Sequence, residues 1–205
     1  AQIWRVDIAG GDGSETLEAN ILISGVGVLN IPLVPEIAGL ESFNGTAFHT
    51  AHWPQDLDLT GKRVTVVGNG ATAMQIVPAI ADKVGHLNAV ARSKQWAAPF
   101  PQFRKEVPDP VRWLLKAVPL YQAWYRQRLA WTFNDRIHPT LQVDPDWPHP
   151  ERALNAVNDA HRRQFTDYIK AELGDRQDLL DKVLPDYPPF GKRMLLDNGW
   201  YRTVA

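Results

Sequence analysis

Lys62-Arg63-Val64-Thr65-Val66-Val67-Gly68-Asn69-Gly70-Ala71-Thr72-Ala73 is the stretch on which the fold turns. A β-branched run ends at a glycine pair. An uncharged segment follows from Ala71 to Val84, then a short apolar run from Leu87 to Ala91. This order predicts strand, glycine turn, helix and strand, which is half of a dinucleotide-binding unit in an α/β fold. The pattern G-x-G-x-x-A gives each residue a task. Gly68 allows the tight turn, and Gly70 lets backbone amides approach a pyrophosphate. Ala71 and Thr72 open the helix whose N-terminus favours phosphate, and the small Ala73 lets helix pack on strand. Pro78 falls inside the expected helix, where it removes a hydrogen bond and should kink the axis.

The residue that selects the ribose lies further on. A site for NAD places an acid near the end of the second strand, about 20 residues after the glycines. Here that strand ends Ala91-Arg92-Ser93-Lys94, with no acid. Arg92 presents a planar fork of donors suited to a phosphate, which favours NADP. A solvated basic turn is the competing reading. Lys192-Arg193 stand after Phe190-Gly191 and before the apolar run Met194-Leu195-Leu196, a placement that is only suggestive alone.

On the N-terminal side, residues 2–8 and 17–24 read as strands around the turn Gly10-Gly11-Asp12-Gly13. The following apolar run is broken by Gly, Asn and Pro and reads as an extended connector. A two-stranded unit is marginally stable alone, so this region is expected to be part of a larger domain. Phe43 to Pro54 reads F-N-G-T-A-F-H-T-A-H-W-P, with Gly45, His49 and Trp53 every four residues. A helical stripe would explain that spacing, but Asn44-Gly45 and Pro54 are breakers, so an irregular connector is expected. On the C-terminal side, Trp113, Ala117, Leu120, Tyr121, Trp124, Arg128 and Trp131 recur at helical spacing. A second helix is expected from about Glu151 to Leu173 after the breaker Asp144 to Pro150. The aromatic stripe reads as packing surface rather than a cofactor box.

Composition narrows the function. The 205 residues carry a net charge of -1, which gives no reason to expect a nucleic-acid or anionic-membrane partner. There is no cysteine, so disulfides, thiolate nucleophiles and cysteine zinc sites are excluded. His49 and His52 supply at most two metal ligands, and no metal site is expected. No long apolar span or signal peptide is read, and a cytoplasmic protein is expected.

Phe43, Gly45, His49, Trp53 and Pro54, followed by G-x-G-x-x-A, resemble the F-x-G-x-x-x-H-x-x-x-W-P fingerprint of the Baeyer–Villiger monooxygenases. Arg92-Ser93 resemble that family's 2′-phosphate contact. Phe190-Gly191-Lys192-Arg193 resemble the element holding its NADP-contacting lysine and catalytic arginine. The ending R-M-L-L-D-N-G-W-Y is most like the 4-hydroxyacetophenone monooxygenase branch.

The resemblance implies a flavoenzyme using FAD and NADP, with a small ketone and O2 as substrates and an ester or lactone as product. It implies that Arg193 stabilises negative charge and that Lys192 and Arg92 grip the 2′-phosphate. His49, named with Arg193 among the catalytic candidates, would act with its fingerprint partners by positioning the linker. The implied division is residues 1–42 as the edge of an incomplete FAD-binding domain, 43–60 as the fingerprint linker and 61–108 as a Rossmann-like NADP-binding half. Residues 109–184 form a helical insertion, and 185–205 return to the domain interface. Ser24-Gly25-Val26-Gly27 resembles the family's exit from its FAD domain, so Gly25 is included among the cofactor-contacting residues. No G-x-G-x-x-G occurs before residue 45, so the chain is expected to be a central fragment that is inactive alone. A nitrogen- or sulfur-oxidising flavin monooxygenase is the nearest alternative, although Trp53-Pro54 count against it. A non-catalytic NADP-binding module is the other.

Overall fold

The hairpin register explains the first departure from the expected elements. In the computed structural model, which describes residues 3–11, 13–27, 29, 31–101 and 105–205, the chain divides into two units, Ala1–Leu57 and Asp58–Ala205. The first unit holds β1 (Trp4–Gly10) paired antiparallel with β2 (Gly13–Ala19). Pairing begins at Gly10↔Gly13, across a two-residue turn, and Gly13 supplies the positive φ of 133° that closes it. From that start β1 is used up at Trp4↔Ala19. The second strand therefore starts four residues and ends five residues earlier than the expected 17–24, and Ile21 to Ser24 belong to no strand among the described residues. Gln2, Asp12, Val28, Asn30 and Gln102 to Arg104, which fall in expected strand, turn, connector and Rossmann segments, lie outside the described residues. Arg5–Glu18 pair at 2.8 Å, and the Thr16 hydroxyl donates to Asp7 at 2.7 Å, both across directly opposed positions.

The second unit starts with β3 (Arg63–Val67), α1 (Ala71–Ile80) and β4 (His86–Val90). The two strands pair parallel from Arg63↔His86 to Val67↔Val90, the arrangement that a crossover helix makes possible. A side chain on Gly85 would collide with the Gly61 carbonyl, so the entry to β4 depends on that glycine. The helix stops at Ile80 rather than the expected Val84. Pro78 offers no N–H to the Met74 carbonyl, and the helix ends two residues later. The amides of Lys83 and Val84 then both turn back to the Ile80 carbonyl. Pro78 is tolerated because it sits in the last turn.

Next come β5 (Ala97–Ala98), α2 (Asp109–Ala117), α3 (Tyr121–Ile137), α4 (Ala156–Leu173), α5 (Leu180–Val183), β6 (Leu195–Leu196) and α6 (Trp200–Val204). The single helix expected over the aromatic stripe is two helices. Pro119 holds Val118 in an extended conformation, and Leu120 then takes a positive φ of 64° to restart the chain. Neither α2 nor α3 buries a residue, and Trp113, Trp124 and Trp131 are each more than half exposed. The stripe is not a packing surface within this unit. α4 starts at Ala156 instead of Glu151 because Asn155 caps it, accepting from the Asn158 amide at 2.8 Å. The Asn155 amide group also donates to the carbonyls of Pro139 and Gln142, which fixes the preceding turn.

The core joins α1 to α4, α6 and the strand pair β5–β6. Met74 and Val77 from α1 and Ile169 and Leu173 from α4 belong to one buried cluster, each at 2 % exposure or less, with α6 packed against both helices. Burial of each such side chain stabilises the fold by about 1.5–3 kcal/mol. Ala97↔Leu195 and Ala98↔Leu196 pair parallel, so the segment after residue 185 is carried back beside β5, seven residues past the end of β4. Among the described residues, no helix is long and apolar enough to cross a membrane.

Candidate dinucleotide site

The turn after β3 has the geometry its glycines require. Gly68 sits at φ 117° and its amide donates to the Val90 carbonyl at 2.7 Å, closing the turn onto the end of β4. Gly70 precedes the first turn of α1 at φ −74°, and a side chain placed there would meet no protein atom within 4 Å. The amide of Met74 is bonded to the Gly70 carbonyl, whereas the first-turn amides of α1 are not satisfied inside the helix. Open space in front of a helix N-terminus fits a pyrophosphate. Ala71 and Thr72 are exposed at this mouth, and Ala73 is buried against the core.

Arg92 and Ser93 follow β4 after one residue, Ala91. Asn69 Nδ2 donates to the Ser93 carbonyl at 2.8 Å, so the glycine turn and the basic turn are joined. Lys192 arrives from far along the sequence and donates through Nζ to Ser93 Oγ at 2.9 Å. A cleft of about 490 Å³ is lined by Asn69, Arg92, Ser93 and Lys94 together with Lys182 and Asp186. Three of those groups are cations and one is an acid, so the lining is net positive. These features fit the phosphates of NADP.

The loop that delivers Lys192 and Arg193 is strained and anchored. Phe190 has a positive φ of 66°, which costs a bulky residue about 1–3 kcal/mol. Its ring packs edge-on against His161 and Phe165. The buried Asn158 donates to the Pro189 carbonyl at 3.0 Å, and Arg162 donates to those of Pro185 and Tyr187. Burial pushes the Tyr187 phenol above its ordinary pKa, so it stays a donor. Arg193 is exposed, and its carbonyl accepts from Gln95 Nε2 at 2.8 Å. Sequence reasoning missed Asn69, Gln95, Asn158, Arg162 and Tyr187. Only Asn69, inside the glycine motif, carried a signal that could have found it.

The fingerprint residues lie in the first unit. Gly45 is packed under the Phe43 ring, which occupies the space a side chain would need. Phe48 and Trp53 meet edge-on at 5.1 Å. His49 Nδ1 accepts from the Ala51 amide at 3.1 Å and caps the 3-10 turn Thr50–His52. That bond leaves the proton of the neutral ring on Nε2. Pro54 follows, its carbonyl accepting from the Leu57 amide. Gly25 is exposed in the extended connector.

The fold is that of the flavin Baeyer–Villiger monooxygenases. Cyclohexanone monooxygenase from Rhodococcus sp. Phi1 bound to NADP+ matches 98 % of this chain with a TM-score of 0.71 at 24 % identity, over 41 % of its own length. Polycyclic ketone monooxygenase from Thermothelomyces thermophila matches with a TM-score of 0.73 at 23 % identity, over 38 % of its length. Among curated proteins, an uncharacterized monooxygenase, y4iD, of Sinorhizobium fredii is 54 % identical over 93 % of this chain and 29 % of its own length. A Baeyer–Villiger monooxygenase of Streptomyces coelicolor is 34 % identical over 98 % of this chain and 36 % of its own. The chain thus spans about a third of the length of the curated relatives it matches. No protein-family profile matches it.

Proposed function

We propose that this chain carries the NADP site of an FAD- and NADPH-dependent Baeyer–Villiger monooxygenase that converts ketones to esters or lactones with O2. One observation carries the reading: the Lys192 ammonium lies 2.9 Å from the Oγ of Ser93, which follows Arg92 in the chain and is tied through its carbonyl to Asn69 of the Gly68–Gly70 turn. A glycine turn alone serves many dinucleotides, whereas two cations gathered at the end of β4 single out a 2′-phosphate.

NADPH, when bound, supplies a hydride. The protein's own residues do the holding. The Gly70 turn and the α1 N-terminus take the pyrophosphate, and Arg92, Ser93 and Lys192 take the 2′-phosphate. Arg193, the next residue after Lys192, has its backbone held by Gln95 and carries an exposed guanidinium that would supply positive charge. For FAD the residues present do not fit: among the described residues of the first unit, no helix follows a strand through a glycine turn. Among the described residues the first unit offers no such cradle for the FAD pyrophosphate, and the 205-residue chain is expected to purify without flavin. A stoichiometric flavin absorbance would overturn that statement.

Titration calorimetry with NADP and NAD tests the central reading. A charge-assisted contact is worth roughly 1.5–3 kcal/mol, so Arg92→Ala should weaken NADP binding by about 10- to 150-fold. NAD binding should change little. Equal losses for both would make Arg92 structural and remove the NADP assignment. The finer placement in the 4-hydroxyacetophenone branch rests on the resemblance of the run Arg193 to Tyr201. A preference for aryl ketones over cyclohexanone, in a longer chain that includes an FAD-binding domain, would support it; the reverse preference would reject it.

A further inference from the structure

We propose that Tyr187 is a positioning residue for the 2′-phosphate end of the cofactor site, its ring serving as the platform that holds the Lys192 ammonium. The proposal rests on the reading of Lys192 as a phosphate ligand given above. Lys192 Nζ lies 4.5 Å from the centre of the Tyr187 ring, within range of attraction to the negative face of an aromatic. Lysine is a flexible, exposed point charge that loses rotamer freedom on binding, so a platform beneath it matters. Ring below and Ser93 Oγ beside fix the ammonium from two directions.

Tyr187 is itself held. Its carbonyl accepts from Trp96 Nε1 at 2.9 Å and from Arg162 at 3.1 Å. Its hydroxyl reaches Gln95 Oε1 at 3.0 Å and the Lys94 carbonyl at 3.2 Å. Gly191 completes the device, because a side chain there would press on the ring edge at 3.2 Å. The aromatic face is thus a rigid part of the fold presented to a mobile cation.

The test is NADP and NAD titration of the 205-residue chain carrying Tyr187→Leu or Tyr187→Phe, each with and without Lys192→Ala. Tyr187→Leu is expected to weaken NADP binding by roughly two- to fivefold and to leave NAD unchanged. Tyr187→Phe, which keeps the ring, should restore NADP affinity. With Lys192→Ala present, Tyr187→Leu should cost nothing more. Equal losses for NADP and NAD, or the same loss without Lys192, would overturn the proposal and leave Tyr187 a structural residue. If Tyr187→Leu does not fold, pentafluorophenylalanine at the position keeps the shape and inverts the face potential. It should then lower NADP affinity relative to Phe, and no difference overturns the proposal. An NADP-to-NAD ratio unmoved by Lys192→Ala would instead bring down the phosphate reading itself.

Discussion

Asn69 Nδ2 lies 2.8 Å from the Ser93 carbonyl oxygen and makes one piece of two turns that are 24 residues apart. In the NADP site proposed above, the first turn would take the pyrophosphate and the second the 2′-phosphate. A neutral hydrogen bond thus ties the two turns together, beside the Gly68 amide's bond to the Val90 carbonyl at 2.7 Å.

Removing that bond should loosen the site for either cofactor. Asn69→Ala forfeits about 0.5–1.5 kcal/mol, so NADP and NAD should both bind roughly two- to tenfold more weakly. The contrast with Arg92→Ala is the point, since that change should discriminate between the two. Calorimetry showing an NADP-only loss at Asn69 would mean that the side chain contacts the phosphate itself.

The two glycines of the turn should fail in different ways. Gly68 needs its φ of 117°, so Gly68→Ala strains the backbone and should destabilise the fold by about 1–3 kcal/mol in urea. Gly70→Ala meets neither strain nor a neighbour, with φ −74° and open space around the new methyl. Its stability should stay near that of the parent while cofactor affinity falls, because the methyl occupies the approach to the helix N-terminus. A Gly70→Ala protein that binds NADP normally would show that the pyrophosphate lies elsewhere.

The strand–turn–helix was legible because its signals are local: β-branched run, glycine pair and apolar return all fall within 30 residues. Helix ends were less legible, since Pro78, Pro119 and Asn155 each act on one bond or one dihedral that periodicity averages away. The supporting half of the site was not legible at all. Gln95 meets Arg193 and Tyr187 through contacts more than 90 residues apart, and nothing at either end marks its partner. The aromatic stripe misled for a different reason: helical spacing reports an amphipathic face but not whether this chain covers it.

Asp197 should prove a stability residue with a reach into the site. It is 6 % exposed and accepts from the amides of Gly199 and Trp200 and from the Tyr168 hydroxyl. Those bonds start α6, which buries Tyr201 and lets its hydroxyl donate to the Gln95 carbonyl at 3.1 Å. Asp197→Ala strands buried donors and should cost about 1–3 kcal/mol. Asp197→Asn keeps an acceptor and should cost less. Chemical denaturation of parent and variants checks the order, and an Asp197→Ala midpoint equal to the parent's would mean that these bonds contribute nothing.

The role proposed for Arg193 can be tested apart from cofactor binding. Its backbone is fixed by Gln95, while its exposed guanidinium stands one residue past the lysine assigned to the phosphate. Oxygen insertion beside a carbonyl builds negative charge on oxygen, and a preorganised cation stabilises that charge without reorganising at the moment of reaction. In a longer chain that includes an FAD-binding domain, Arg193→Ala should lower ester formation by about 100- to 1000-fold. Arg193→Lys keeps the charge but loses the planar fork of donors, so it should recover only part of that loss. NADP affinity should hardly move in either variant, because Arg92 and Lys192 remain. Ester yield measured beside an NADP titration decides the matter: parental yield with parental affinity in Arg193→Ala would reduce Arg193 to an ordinary surface charge.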